Sequence, residues 1–444
     1  MRVKVRVCLV SIVYCFVLAA GCSDGGPAEA GADSGAEPVG GDAGTDGGAE
    51  DAAADTAPDM EATCLPLDCE DFIACEEDDC PVLSDYEQVI PSAKLPAQTP
   101  PQNANNNLDA VEFDGRTYIA WRTAPYHFAD RNTELFVVST ADHDSYRFEG
   151  RFFMEKDLRE MRFLALEDRL LMYFAVLGTN PITFEPEGMM VTQYESPGNW
   201  SPPEFFYGEG FIPWRTKVVD GVAYMIAYEG GENIYELDGE PLRVHWLKSD
   251  DGLEWVPVVP DQPVVLEGGS SETDFVIMGD GAVVAVSRNE AGDESFGFGS
   301  KICRAEPESI GDWRCVADPR KYDSPLLFKN GEDVWLIGRR NVTPAGTFDL
   351  GEGDSLAERA SKNLIAYSGK PKRCALWSVD PVELEVSHVL DLPSKGDTCF
   401  PAIVRQSEDS VLVYNYTSPI DGDDVSWIAG QGGPTIIYRV LLTF

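Results

Sequence analysis

From about residue 104 to the end, apolar positions fall in short runs rich in β-branched and aromatic residues, and few stretches carry helical spacing. Six runs are alike: YIAWR (118–122), LLMYFA (170–175), VAYMIAY (222–228), VVAVSR (283–288), VWLIGR (334–339) and VLVYNY (411–416). Each follows a Gly, Asp or Asn turn, as the second strand of a hairpin does. They end at residues 122, 175, 228, 288, 339 and 416, in steps of 53, 53, 60, 51 and 77. A near-constant step of this length matches one four-stranded sheet per repeat. It predicts an all-β, six-bladed β-propeller, with a five-bladed count as the alternative.

A second marker recurs between the outer strands. HDSYRF, SPGNWSPP, DDGLEWVP and IGDWRCV place Tyr146, Trp200, Trp255 and Trp313 at steps of 54, 55 and 58. In such a turn the Asp side chain bonds turn amides and the aromatic packs between blades, so the marker speaks for the fold and not for catalysis. The last repeat has three clear strands and ends at Phe444. A strand over residues 86–92 would complete it and close the ring. The longest step reflects an insertion, residues 341–371, in which SLAERASKNLIAY reads as a short helix. Loops of that length are usually functional or disordered.

The first residues follow another pattern. Arg2, Lys4 and Arg6 precede an apolar run, Cys8 to Ala20, too short to span a bilayer comfortably, so residues 1–21 read as a signal peptide. The ending LAAGC resembles a bacterial lipobox with Cys22 as the lipidated residue. That implies export and a lipid anchor in the cell envelope, inner or outer membrane left open; ordinary cleavage after Ala20 or Gly21 is the competing reading. Residues 22–63 are Gly, Ala, Asp, Glu and Pro with almost nothing to bury, which predicts a disordered acidic tether. Residues 64–84 hold Cys64, Cys69, Cys75 and Cys80, which in an exported chain suggest two disulfides. The C-x2-C pairs usual for zinc are missing. Calcium on Asp68, Glu70, Glu76, Glu77, Asp78 and Asp79 is a weaker reading than a solvated acidic run. The propeller takes residues 85–444. There Cys303 and Cys315 fall on consecutive predicted strands, which suits a cross-hairpin bridge, and Cys374 and Cys399 remain to pair.

The formal charge is −42, of which the tether and Cys-rich segment carry −18 and the globular part −27, against +3 in the leader. This argues against nucleic acid and anionic lipid surfaces as partners; contact with a membrane is expected through the lipid alone, and the chain is expected to be a monomer. The chain contains no G-x-S-x-G, H-E-x-x-H, P-loop or dinucleotide fingerprint, so Ser or Cys nucleophile chemistry has no support and no cofactor is expected.

Charges instead gather where propeller geometry brings strands together. The innermost strand of a blade starts on one face, and the second strand returns to it. The starts offer Asn107 and Asp109, Glu160 and Arg162, Arg215, Glu272 and Asp274, Asp323 and Asp397. The ends offer Arg122, Tyr228, Arg288, Arg339 and Tyr416, and the loops beyond add His127, Glu229 and Glu290. Residues two apart on a strand point the same way, here toward the central channel. Glu160, Glu272 and Asp323 are the catalytic candidates. Arg122, His127, Arg162, Arg215, Tyr228, Arg288, Arg339 and Tyr416 are the substrate-binding candidates. Trp214, Tyr126, Phe128 and Trp427 offer stacking surfaces for sugar rings, whereas Trp121 suits the inter-blade core. The competing reading is a ring of Arg–carboxylate pairs that merely closes the channel.

With six repeats, the turn SDDGLEW and arginines at the blade mouths (AWRTAP, LREMRF, PWRTK, VSRNE, IGRRN), residues 104–444 resemble the sialidase superfamily of propellers. More distantly they resemble the five-bladed arabinanase-like glycoside hydrolases. The sialidase resemblance implies a carboxylate clamp of Arg122, Arg288 and Arg339. It also implies a tyrosine nucleophile, Tyr416 or Tyr228, with Glu229 or Glu272 beside it and Asp130 or Asp109 as the acid. The Arg-Ile-Pro start usual in that family is absent. The arabinanase-like resemblance implies carboxylates on the innermost strands, which Glu160, Glu272 and Asp323 match. The expectation is a surface-anchored glycoside hydrolase acting on an anionic glycan, since planar Arg forks suit carboxylates. A non-catalytic propeller that binds a glycan or protein is the alternative.

Overall fold

The computed structural model describes residues 80–234, 240–343 and 347–444. The leader, Cys22, the tether and Cys64, Cys69 and Cys75 lie outside them. Six antiparallel sheets follow one another along the chain, each meeting the next through its innermost strand. Blade 1 comprises Ala104–Phe113, Arg116–Ala124, Glu134–Thr140 and Arg147–Phe152. Blade 2 runs Asp157–Ala165, Leu170–Leu177 and Pro186–Ser196, with Asn199–Trp200 and Glu204–Glu209 outside. Blade 3 runs Ile212–Val219, Val222–Glu229 and Leu242–Ser249, with Val256–Pro257 and Val264–Gly268 outside. Blade 4 is Ser270–Ile277, Val283–Asn289, Ser300–Ala305 and Arg314–Asp318; blade 5 is Asp323–Asn330, Asp333–Asn341, Lys372–Val379 and Val386–Asp391. Blade 6 is Ala402–Ser407, Ser410–Thr417 and Ile436–Thr443. The six-bladed count holds, and the five-bladed alternative falls.

Each second strand is apolar on both faces through its middle because both faces meet a neighbouring blade; Leu170–Leu177 is buried at every position. The recurrent aromatics fill the seams, as their spacing predicts. Trp200 packs on Phe152, Phe163 and Tyr194, Trp255 on Tyr173, and Trp313 on Trp246. Asp251 of the SDDGLEW turn accepts the amides of Leu253 and Glu254 at 2.8 and 3.0 Å.

The ring closes where the N-terminal strand joins the C-terminal one. Glu87–Ile90 and Val82–Leu83 pair antiparallel with Ile436–Thr443. Val89 and Ile90 then bury against Leu108 and Ala110 of blade 1 in the same core. The Cys303–Cys315 disulfide forms across its hairpin as the strand positions suggest, and the two remaining cysteines, Cys374 and Cys399, pair with each other. The blade-five insertion carries helix α1, Leu356–Ser368, capped by the Ser355 hydroxyl. A short helix α2, Trp427–Gln431, follows the second strand of blade 6. No helix among the described residues is long and apolar enough to cross a membrane.

One irregularity repeats around the axis. The innermost strands of blades 1 to 5 shift register at Asn106/Leu108, Arg159/Arg162, Pro213/Arg215, Ser270/Thr273 and Asp323/Leu326. These are β-bulges, which insert a residue and re-aim side chains. Asn107, Glu160 and Ser324 take left-handed φ values of 42°, 55° and 55° there, and Cys399 at the head of blade 6 takes 78°. The expected pairing of side chains two apart therefore fails. Asn107, Glu160 and Glu272 face a cavity at one end of the axis, while Asp109, Arg162 and Asp274 go into the shaft beneath.

The shaft is plugged. Arg162 donates to the carbonyl of Trp214 and lies over the rings of Phe400 and Trp214, at 4.2 and 4.9 Å. Arg215 donates to the carbonyls of Pro325, at 2.9 Å, and Pro401, at 3.2 Å. Asp274 bridges Lys217 at 2.8 Å and Arg215 at 3.7 Å, and accepts the Leu327 amide at 2.7 Å. Asp109 accepts the Phe163 amide at 2.7 Å in the same way. Removing one member of such a network strands buried charges. Asp274→Ala is expected to cost about 3–5 kcal/mol of unfolding free energy, read from urea midpoints. Asp274→Asn, which keeps an acceptor for Leu327, should cost less.

Candidate active site

Above the plug lies a cavity of about 210 Å³. Its floor is built from the bulged strand heads and the second-strand ends: Asn107, Arg159, Glu160, Tyr228, Glu272, Arg288, Ser324, Arg339 and Tyr416, with Glu290 and His127 from the loops beyond. Its walls come from the loop after the second strand of blade 2, from Ile234, and from helices α1 and α2. Those walls are tied together through backbone. The amide of His127 donates to Gln431 of α2 at 3.0 Å, and Arg159 donates to the carbonyl of His127 at 3.1 Å. Helix α2 lies so close to the head of blade 6 that a Cβ on Gly430 would come within 2.4 Å of the Asp397 amide nitrogen.

Eight of the eleven predicted catalytic and binding residues meet here or directly beneath. Glu160, Glu272, His127, Tyr228, Arg288, Arg339 and Tyr416 line the cavity, and Asp323 lies fully buried behind Arg288. Three others do not reach it. Arg162 and Arg215 belong to the plug. Arg122 is buried below the blade-one loop, paired to Asp157 at 2.9 Å and donating to the carbonyls of Tyr126 and Phe128. A clamp of Arg122, Arg288 and Arg339 is therefore not assembled; Arg159, paired to Asp157, lines the cavity instead. Trp214, expected as a stacking surface, is buried in the plug, while Phe128 and Trp427 do line the cavity. Tyr126 bonds Asp130 at 2.9 Å, which leaves Asp130 as a loop brace. Glu229 sits off the cavity with Arg243 and His245, and Asp109 is in the shaft.

Glu160 stands apart from the other carboxyls. One of its oxygens accepts from Asn107 Nδ2 at 3.0 Å, and the other has no hydrogen-bond partner among the described residues. Burial pushes its pKa up to about 7, with the charge of Glu272 adding to the shift and Arg162 opposing it. Glu272 is also raised by burial but is better compensated. Arg288 bonds it at 2.8 Å, and the Ser324 amide donates to it at 2.7 Å. Of the two, Glu160 is the one placed to hold a proton at neutral pH. Burial works against the charge of Asp323, but Arg288, Lys321 and Arg339 outweigh it and hold that carboxyl below its ordinary value.

Arg288 holds three carboxylates at once: Glu272 at 2.8 Å, Glu290 at 2.9 Å and Asp323 at 3.0 Å. Arg339 is gripped by the carbonyls of Thr398 and Cys399 and by the hydroxyls of Tyr367 and Ser324. The Cys374–Cys399 disulfide fixes the strand head that supplies those carbonyls. A second constellation is a chain of three: Tyr416 donates to Asp397 at 2.9 Å, and the other Asp397 oxygen meets His127 Nδ1 at 2.6 Å. Burial lowers the His127 pKa and raises that of Tyr416 well above its ordinary value. Sequence reasoning placed Asp397 at a strand head but missed its partnership with Tyr416, as well as the support that Tyr367 and Lys321 give to Arg339 and Asp323. The short spacing Lys321-Tyr-Asp323 was the one available signal. Among the described residues no group of three or more His, Cys, Asp or Glu is placed to hold a metal.

The proton on Glu160 links stability to pH. In the unfolded chain the group titrates near 4.5, in the folded one near 7. Between these values only the folded state holds the proton, so the stabilisation present below pH 4.5 is lost as pH rises through 7. Glu160→Gln removes this loss. Relative to the parent it should gain about 1–3 kcal/mol between pH 4.5 and pH 8, measured as the difference in urea midpoints at the two pH values.

No family model matches the chain, and no curated protein matches it. Solved structures do. A protein of unknown function from Dyadobacter fermentans DSM 18053 is 16% identical, with a TM-score of 0.52 over 82% of this chain and 100% of that one. The phage phi92 endosialidase is 10% identical with a TM-score of 0.47, covering 76% of this chain and 66% of that one. The Trypanosoma rangeli sialidase in complex with sialic acid is 10% identical with a TM-score of 0.49, covering 77% and 54%. The chain thus spans about half the length of that sialidase. What the chain shares with the Dyadobacter protein is the propeller fold.

Proposed function

We propose that this propeller is a glycoside hydrolase in which Glu160 is the proton donor and Glu272 the facing carboxylate. The observation that carries the reading is the Glu160 carboxyl: buried, held on a left-handed bulge, with one oxygen unpartnered and a pKa near 7. Glycosidic cleavage needs one carboxyl that keeps its proton and another that stays ionised, and neighbouring environments that differ are how proteins arrange this. Arg288 and the Ser324 amide favour the charged form of Glu272. Glu160 protonates the leaving oxygen, and Glu272 acts on the opposite side of the sugar as base or nucleophile. Tyr416 is the competing nucleophile, because its hydroxyl donates to Asp397 and His127 orients that carboxylate.

The expected anionic substrate rested on a surplus of arginine, and the site has none. Arg159, Arg288 and Arg339 are matched by Asp157, Glu272, Glu290 and Asp323. A neutral glycan suits this balance better. Surface anchoring through Cys22 remains part of the proposal; it rests on the leader alone.

The test is a screen of the full-length protein against neutral and anionic glycosides, read by released sugar. Turnover of a neutral glycoside is expected, with kcat/KM falling as pH rises through about 7 because Glu160 must be protonated. Glu160→Gln and Glu272→Gln should each lower kcat at least about 100-fold. Full turnover in both variants would sink the residue assignment, and a Tyr416→Phe variant that alone loses activity would transfer the nucleophile to Tyr416. Binding without product across the panel would make this a glycan-binding propeller.

A further inference from the structure

The cavity is polar at its floor and apolar at its mouth. Pro181, Ile182, Ile234, Leu364, Trp427 and Ile428 form a collar drawn from blades 2, 3, 5 and 6. Of the aromatic rings that line the cavity, Trp427 lies under Arg339 at 5.2 Å and meets Tyr367 edge-on at 5.1 Å, Phe128 packs on Tyr126 at 6.1 Å, and Phe184 and Phe400 pack into the core. A sugar ring stacks on an open aromatic face. Against aliphatic side chains its hydroxyls would lose water without gaining partners. A polysaccharide, polar along its whole length, suits this mouth poorly. Half-exposed Ile182 and Leu364 instead offer hydrocarbon surface in the same cavity as the acid and carboxylate pair.

Resting on the hydrolase reading, we propose that the substrate is a neutral glycoside with an apolar aglycone, the sugar seated on the floor between Glu160 and Glu272 and the alkyl or aryl aglycone held in the collar. The insertion of blade 5 and helix α2 supply the selectivity, since Leu364, Trp427 and Ile428 stand on them. In this arrangement the leaving group is apolar, and its oxygen takes the Glu160 proton as the bond to the anomeric carbon breaks. Water activated by Glu272 forms the new bond at that carbon, or Glu272 forms it and water then displaces the carboxylate with Glu160 as base, so the reaction is a hydrolysis that consumes only water.

Calorimetric titration of the full-length protein with methyl, butyl and hexyl β-D-glucosides and β-D-galactosides tests the collar separately from turnover. Affinity is expected to rise roughly fourfold for each methylene that enters the collar, with one site per chain. Leu364→Asp and Ile182→Asp, with Tm measured to verify folding, should bring the hexyl-to-methyl ratio close to one. Equal affinity along the series, or no binding by any member, overturns the collar whatever the turnover screen gives. Chain-length dependence that survives both substitutions overturns it too. A rising series lost in both variants, without turnover of any glycoside, upholds the collar and overturns the hydrolase reading.

Discussion

Six strands bring their first residues to one axis, and the guanidinium and carboxylate groups they carry lie where water scarcely reaches. Everything near the axis follows from that desolvation. An unpaired buried charge costs several kcal/mol, so each must find an opposite charge, a carbonyl or an aromatic face. In the shaft Arg162 and Arg215 take backbone carbonyls and ring faces, and Asp274 takes Lys217 and an amide. The propeller thereby acquires a closed floor. Closure is what turns a channel through the ring into a cavity open at one end.

The bulges separate these two roles. A regular strand would send Glu160 and Arg162 to the same side, and their charges would cancel. The inserted residue turns Glu160 to the cavity and leaves Arg162 in the plug. The left-handed backbone costs on the order of 1–3 kcal/mol at each such residue. The bulges recur in blades 1 to 5, and left-handed Cys399 marks the same point in blade 6. Recurrence points to an inherited feature of the repeat, and only some copies have a polar group to aim. Ser324 uses its copy to present an amide to Glu272, whereas Cys399 offers a carbonyl to Arg339.

Much of this was legible in the chain. The second strands are apolar on both faces, the aromatics recur with the blade, and the closing strand near residues 86–92 has no other sheet to join; each is a local pattern with a period. The gathering of charge at one mouth followed from strand direction alone. What was not legible was which charges face the cavity, because a bulge leaves no reliable mark in sequence and reverses every inference from alternation. Asp397 as partner of Tyr416, and Tyr367 as partner of Arg339, were hidden for a different reason. They depend on where a strand head and an inserted helix come to rest, which side-chain spacing does not encode. Arg122 failed as a ligand because the carbonyls of its own loop and the Asp157 carboxylate reach it first.

Glu160 gathers these features in one residue. Its backbone is in a region that non-glycine residues avoid, its carboxyl is buried without a cation in hydrogen-bond contact, and one oxygen goes unbonded. For stability alone, a glutamine or a small residue at this position would serve better. The nearby cations relieve it only in part: Arg162 and Arg159 pull its pKa down without outweighing burial, since Arg159 is bonded to Asp157, Arg162 is turned into the shaft, and Arg288 is held by three other carboxylates. The same ion pairs that keep those carboxylates charged thus leave burial free to hold the Glu160 carboxyl near 7. An acid at neutral pH therefore arises here from the distribution of the arginines, with burial supplying the shift and Glu272 enlarging it. In the proposed hydrolase that is why the plug and the Arg288 cluster matter to chemistry although neither contributes the proton.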